Sequence, residues 1–212
     1  TPLNANVGDT TVVLTVTDDG EGTLQDSQTF AISVSNTNDT PVLLTIANPD
    51  TVLEDGGNIV LTVAPTDEDA GASLEVSVIA IDGSLFPDSV ITVSPATGGS
   101  GDVRTITMNP PDNQNGESLV TVYVNDGTVV VNRQFTATVT AVNDAPVITS
   151  TVDSTANEDE LYSYTITASD VDGDALTYAA PTIPGWLSFD TSTRILSSTP
   201  THDNVGPNVV VL

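Results

Sequence analysis

Val142-Asn143-Asp144-Ala145-Pro146-Val147 and its near-copy Thr37-Asn38-Asp39-Thr40-Pro41-Val42 each separate one Thr/Val-rich alternating run from the next. Each reads as a short ordered junction between two β domains. Proline has no N–H for a strand ladder and drives the residue before it into extended geometry, so a strand ends and the chain passes on without coiling. The Asn-Asp pair places an amide and a carboxylate where acidic loops of both neighbouring domains are expected to converge, which suits a hard cation.

Upstream of the first junction, residues 10–17 alternate Val12, Leu14 and Val16 with threonines, the pattern of a half-buried strand. The acidic turn Asp18-Asp19-Gly20-Glu21-Gly22 follows, and Phe30, Ile32 and Val34 mark the returning strand. Two strands alone do not hold together in water. Between the junctions, strands are predicted near 42–47, 59–63, 74–81, 90–94, 103–108, 119–124 and 130–142. Turns such as Asn48-Pro49-Asp50, Asp67-Glu68-Asp69-Ala70-Gly71 and Asn125-Asp126-Gly127 interrupt them. Seven strands with a turn every eight to twelve residues is the pattern of an immunoglobulin-like sandwich. The second junction opens a unit that begins the same way. Strands are predicted at 147–152, 162–168, 176–179, 186–189, 194–198 and 209–212, with an acidic turn at Asn157-Glu158-Asp159-Glu160 and an acidic loop at Ser169-Asp170-Val171-Asp172-Gly173-Asp174. No stretch has a 3.6-residue apolar period, so the fold class is all-β.

The two ends of the chain match each other. Thr199-Pro200, Asn204-Val205-Gly206 and Val210-Val211-Leu212 repeat Thr1-Pro2, Asn6-Val7-Gly8 and Val12-Val13-Leu14 at an offset of 198 residues, while Pro41 and Pro146 stand 105 apart. Two alternating domain types of about 105 and 93 residues therefore make one repeat. On this reading, residues 1–40 are the C-terminal hairpin of one domain, 41–145 a complete sandwich, and 146–212 a domain lacking its final strands. The chain is expected to be cut from something longer, its domains running head to tail as a rod. A half-sandwich exposes an apolar face and unpaired edges, so its cover is expected from a neighbouring repeat of the same protein, or from another molecule adding strands.

Composition narrows the function. Hydrophobic residues at 38% of 212 fill modest cores, and aromatics at 4% leave Val, Ile, Leu and Thr methyls to build them. There is no cysteine, hence no disulfide, and no lysine, hence no Lys-Asn isopeptide cross-link. With 29 acidic residues against three arginines and a net charge of -26, the chain has no means of replacing counterions on nucleic acid or of lying on an anionic membrane. No apolar run is long enough to span a bilayer. The acids cluster in turns rather than strands, as metal loops require, although a solvated acidic surface would also concentrate charge there.

In a sandwich of this order the loop after the second strand lies beside the incoming linker, and the first acidic turn and the loop before the sixth strand lie at the far end. One junction should gather Glu54 and Asp112 from above, Asn143 and Asp144 from the linker, and Asp170, Asp172 and Asp174 from below. Asp67 and Asp69 stand in the loop that corresponds to Asp170 to Asp174, Asn38 and Asp39 are read as a metal or structural element of the linker, and Glu158 and Asp203 are expected to complete another cation site against a next copy's Asn36 to Asp39. Oxygen ligands in this number suit Ca2+, which takes six to eight, and not zinc. The alternative is that the acids make ordinary Asx turns. Asp170 to Asp174 also resembles the start of an EF-hand loop, but no helices flank it and Pro181 stands where the twelfth-position Glu is needed. Asn38-Asp39-Thr40 is formally a glycosylation sequon, read here as linker. His202 reads as a solvated loop residue and Trp186 as core.

Glu158, Asp170 to Asp174, Pro184-Gly185-Trp186-Leu187-Ser188-Phe189 and Ser198-Thr199-Pro200 make the last unit resemble a dystroglycan-type cadherin-like domain. The middle unit resembles the related Ig-like or cadherin-like tandem repeats of very large bacterial surface proteins through Glu54-Asp55, Asp67 to Asp69, Asn125-Asp126-Gly127 and Val142 to Val147. The resemblance implies calcium-rigidified rods in extracellular adhesins, filaments and surface layers, with ligands at the junctions. Where the cadherin linker leads with Asp, this chain has Asn36 at one junction and Ala141 at the other. Two function classes follow: a calcium-stiffened structural segment at the cell surface, or a β-sandwich module that binds a glycan or protein. An enzyme is not expected, because every acid pair is accounted for by a turn.

Overall fold

The computed structural model describes residues 3–22 and 24–212, which are nearly all β with three single-turn 3₁₀ segments. Thr1 and Pro2, which open the 198-residue match, lie outside the described residues. The chain divides into two compact units, Thr1–Ala141 and Val142–Leu212.

The first unit begins with a hairpin. Strands β1 (Gly8–Thr17) and β2 (Gln25–Val34) pair antiparallel, with Val12 opposite Phe30 and Thr10 opposite Ile32. Asp18 closes the acidic turn: its N–H donates to Leu24 O and its Oδ1 accepts the Leu24 N–H. A sandwich follows. Strands β3 (Val52–Leu53), β5 (Leu74–Ala80), β7 (Thr97–Gly98), β9 (Gly116–Asn125) and β10 (Val130–Thr140) form one sheet in the order β3-β10-β9-β5-β7. Strands β4 (Ile59–Val63), β6 (Ile91–Ser94) and β8 (Arg104–Met108) form the other, in the order β4-β8-β6.

Side chains alternate across a strand, so every second residue of β9 (Val120, Val122, Val124) turns inward and loses all contact with solvent. These pack with Phe135, Ala137 and Val139 of β10, Leu74 and Val76 of β5, and Ile59, Ile106 and Met108 of the facing sheet. Burying each such side chain stabilises the sandwich by about 1.5–3 kcal/mol.

The strand predicted at 42–47 does not form as a ladder. Val42 makes a single antiparallel bridge to Thr66, after which the chain crosses over and pairs β3 parallel to Val139 and Thr140 of β10. At the crossing Asn48 accepts the Thr136 N–H on its side-chain oxygen, where a backbone carbonyl of a paired strand would otherwise stand.

The second unit is more loosely laddered. Strands β12 (Tyr162–Thr165), β14 (Ser188–Asp190) and β15 (Ile195–Ser198) form a sheet in the order β12-β15-β14, and β11 (Val147–Ile148) pairs with β13 (Ala168–Ser169). Its core is Tyr164, Ile166, Leu187 and Leu196, with Tyr162, Tyr178, Ile183, Trp186, Phe189 and Leu212 packed around them. The strand predicted at 147–152 stops at Ile148, because Ser150 Oγ takes the Thr167 N–H that a strand carbonyl would otherwise accept. Residues 176–179 carry no strand; Pro181 and Pro184 lie just beyond them and offer no N–H to a ladder. Trp186 is half-buried and its indole N–H reaches Asn208 Oδ1 at 3.2 Å.

Candidate metal centres

Both Asn-Asp segments dock on the acidic loop of their own unit, and they do so by the same hydrogen bonds. In the first unit the Asp39 N–H donates to Asp69 Oδ2 at 2.9 Å, Asn38 Nδ2 donates to Asp39 O at 2.7 Å, and the Asp69 N–H donates to Asp67 Oδ1 at 2.8 Å. In the second, the Asp144 N–H donates to Asp172 Oδ2 at 2.7 Å, Asn143 Nδ2 donates to Asp144 O at 3.0 Å, and the Asp172 N–H donates to Asp170 Oδ1 at 3.0 Å. Asp67 and Asp69 therefore occupy the roles of Asp170 and Asp172. In each loop the first aspartate makes an Asx turn that presents the second, and the second receives the linker. A glycine at φ +78° follows in both loops, Gly71 and Gly173, where the left-handed turn disfavours a side chain.

Around the first segment the amides and acids interlock further. Asn36 Nδ2 donates to Asp69 Oδ1 at 2.8 Å, and Asn4 Nδ2 reaches Asp39 Oδ2 at 2.7 Å and Glu68 Oε2 at 3.3 Å. Asn38 Nδ2 also reaches Asp126 Oδ2 at 3.0 Å. The Val129 N–H on Asp126 Oδ1, with help from Asn38 and the Thr128 N–H, holds the Asp126 carboxyl below its ordinary range. The Asp67 N–H donates to Ser100 Oγ, and Ser100 Oγ–H donates to Asp67 O. Asp67 Oδ2 is buried and takes no hydrogen bond. A buried carboxylate oxygen without a donor is costly, and a cation is one way to satisfy it.

In the second unit Asp170, Asp172 and Asp174 hold three carboxylate oxygens within 4.8 Å of one another. Among the described residues this is the trio of acids that meets so closely. Ca2+ binds oxygen at about 2.3–2.6 Å, so two of its ligands stand at most about 5 Å apart. The trio fits that limit.

The remaining predicted ligands lie elsewhere in their units. Glu54 is 2% exposed and accepts Asn115 Nδ2 at 2.9 Å. Asp112 is exposed on the neighbouring loop. Glu158 Oε2 lies 3.1 Å from His202 Nδ1, and Asp203 is exposed in the turn His202–Asn204. His202 is thus exposed, as expected of a loop residue, but it has a carboxylate partner 44 positions away that no local pattern announced.

Asn4, Ser100 and Asp126 lie at the first centre and were not foreseen there, and Asn36, expected only to meet a neighbouring copy's Glu158 and Asp203, reaches Asp69 of its own unit. Asn36 alone carried a signal, as the residue standing where a cadherin linker leads with Asp. Arg104 was not foreseen in any role. It is fully buried on the inner face of β8 in line with Ile106 and Met108, and its guanidinium donates to the carbonyls of Asp102 (2.7 Å), Gly99 (3.3 Å) and Leu74 (3.4 Å). A guanidinium never loses its proton in a protein, so these carbonyls stand in for its water.

Comparison with known proteins agrees with the fold. Residues 145–212 match the family described as "Putative Ig domain". The search of the curated proteins found no match. Among solved structures, the protocadherin gamma B2 extracellular cadherin domains 1–5 share 19% identity, with 98% of this chain and 45% of that one covered and a TM-score of 0.48. The endo-fucoidan hydrolase MfFcnA4 of glycoside hydrolase family 107 shares 19% identity over 95% of this chain and 31% of its own, at a TM-score of 0.35. Domains 4 and 5 of the S-layer protein SbsC share 18%, covering 65% and 74%, at 0.35. The chain spans under half the length of the first two. The fold is all-β and Ig-like, and no helix among the described residues is long and apolar enough to cross a membrane.

Proposed function

We propose that this chain is a calcium-rigidified structural segment of an extracellular repeat protein, an adhesin stalk or surface filament, in which bound Ca2+ locks each Asn-Asp segment to the acidic loop of its own unit. The observation that carries the reading is the duplicated hydrogen-bond pattern of Asn38-Asp39 on Asp67 and Asp69 and of Asn143-Asp144 on Asp170 and Asp172. An Asx turn alone needs one acid per loop; each loop carries more than one, and in the second the oxygens of Asp170, Asp172 and Asp174 lie within 4.8 Å of one another. The asparagine amides add to the fit, because a carboxamide rotated about its last bond presents an oxygen where it now presents NH₂.

Asp39, Asp67 and Asp69, with Asn36 and Asn38, would hold the ion in the first unit, and Asp144, Asp170, Asp172 and Asp174, with Asn143, in the second. The ion supplies charge neutralisation and a cross-link between segments distant in sequence. The chain's partners are then neighbouring repeats of the same protein, and its acids serve cations and turns rather than catalysis. Isothermal titration of the full chain with CaCl₂ tests this, with MgCl₂ as comparator. Extracellular modules bind calcium at about 10⁻⁴–10⁻³ M, so saturable binding in that range, stronger than for Mg2+, is expected. Absence of saturable binding at millimolar calcium would overturn it.

A further inference from the structure

The hairpin β1–β2 has one face richer in large apolar side chains. Val12, Leu14 and Val16 of β1 share it with Phe30, Ile32 and Val34 of β2, beside Thr10, Gln28 and Asp26, while the other face carries Asp9, Thr11, Val13, Thr15 and Thr17 against Ser33, Ala31, Thr29, Ser27 and Gln25. The apolar face is open: Leu14 is 57% exposed, Val16 68%, Phe30 40% and Ile32 47%. A sheet face of this kind in a soluble protein marks an interface.

The second unit shows what that face fits. Asn4–Asn6 and His202–Asn204 are the same 3₁₀ turn, 198 residues apart, each with an Asn at its third position accepting the N–H of the residue that opens it (Leu3 or Thr201, both 2.8 Å). Val7 and Val205 then take nearly identical extended angles, and Gly8 (φ +112°) and Gly206 (φ +127°) make the same left-handed step. Beyond that step the second unit forms no ladder, only one bridge and a core contact. Val211 bridges Thr182 antiparallel, and Leu212 packs on the core of Tyr164, Ile166, Leu187 and Leu196. At the same offset Val211 corresponds to Val13 and Leu212 to Leu14. Leu14 lies on the open apolar face, and Val13 pairs with Thr29 on one side while its other edge is free for a ladder.

We propose that β1 and β2 are the closing strands of a sandwich of the kind begun by residues 142–198. The apolar face of the hairpin is then the docking surface for such a domain, with Val13 laddered to its Thr182 and Leu14, Phe30 and Ile32 seated on its Leu196 core. This rests on the repeat reading and not on the cation, so the test is run in chelator. It uses a joined protein, residues 1–198 followed directly by 1–212, in which an internal hairpin follows 142–198 and a terminal hairpin does not. Phe30→Tyr in the terminal copy gives its peptides a distinct mass, and hydrogen exchange is followed on both copies and on β9 and β10 as folding controls. Amides of the internal β2 are expected to exchange at least roughly tenfold more slowly than those of the terminal copy. Leu14→Asp in the internal copy should abolish the difference, whereas in the terminal copy it should leave it unchanged. Equal exchange in the two hairpins, with β9 and β10 protected, would overturn the proposal.

Discussion

Replacing Asp172 by Asn separates a cation site from a set of turns. The three carboxylate oxygens of Asp170, Asp172 and Asp174 lie within 4.8 Å of one another. At that distance a pair of unit charges repels by about 3 kcal/mol at an effective dielectric of about 20 and by about 1 kcal/mol in water. Asp172 and Asp174 are exposed, so the lower figure applies. Asp172→Asn removes two of the three repulsions and keeps an oxygen acceptor for the Asp144 N–H. Without calcium the variant should therefore be more stable than the parent by about 1–2 kcal/mol, or several degrees in Tm for a unit of this size. With calcium at a hundred times its dissociation constant the parent gains about 2.7 kcal/mol, while the variant, short of one charged ligand, gains far less. The order of stability should thus reverse between chelator and calcium. Trp186, the single tryptophan, is half-buried against the core of the second unit and reports its unfolding by fluorescence. A variant less stable than the parent in chelator, with an undiminished response to calcium, would refute the reasoning and leave Asp172 as a hydrogen-bond acceptor only.

Asp190 gives an acid-sensitive contribution to the same unit. The Ser192 hydroxyl at 2.6 Å, followed by the N–H groups of Ser192 and Thr193, holds its carboxyl down at about 2, against 3.8 for the free group. Folding favours the ionised form, so this contribution is complete above the unfolded value of 3.8 and is lost as pH falls from there toward about 2. Ser192→Ala should reduce it, moving the acid limb of a Trp186 fluorescence titration to higher pH; an unmoved limb would count against it. Arg104→Ala should destabilise the first unit by about 3 kcal/mol or more, since it opens a cavity and strands the carbonyls of Asp102, Gly99 and Leu74. Guanidinium unfolding followed by circular dichroism measures the loss, with Arg133→Ala, at an exposed position, expected to stay within about 0.5 kcal/mol of the parent.

Period-2 alternation was enough to read the all-β class, the hairpin and most strands of the first unit, because a strand half-buried in a sandwich must alternate and the Gly, Asn and Asp between runs must turn. The same local chemistry picked out Asp67 with Asp69 and Asp170 with Asp172, since Asx turns are made by residues two positions apart. What folding alone decided are the long-range pairings: Asp39 on Asp69, Asn4 on Glu68, Asn38 on Asp126 and Glu158 on His202. No periodicity carries a contact between loops that only the sheet order brings together. The strands that failed to form, at 42–47, 149–152 and 176–179, failed where Asn48 and Ser150 supplied side-chain hydrogen bonds in place of the backbone or where prolines lay just beyond. Arg104 is the sharpest case. Strand parity placed it on the inward face with Ile106 and Met108, but whether a cation can stay there depends on three carbonyls converging from β5 and the loop 99–102, which is a property of packing and not of the chain read in order.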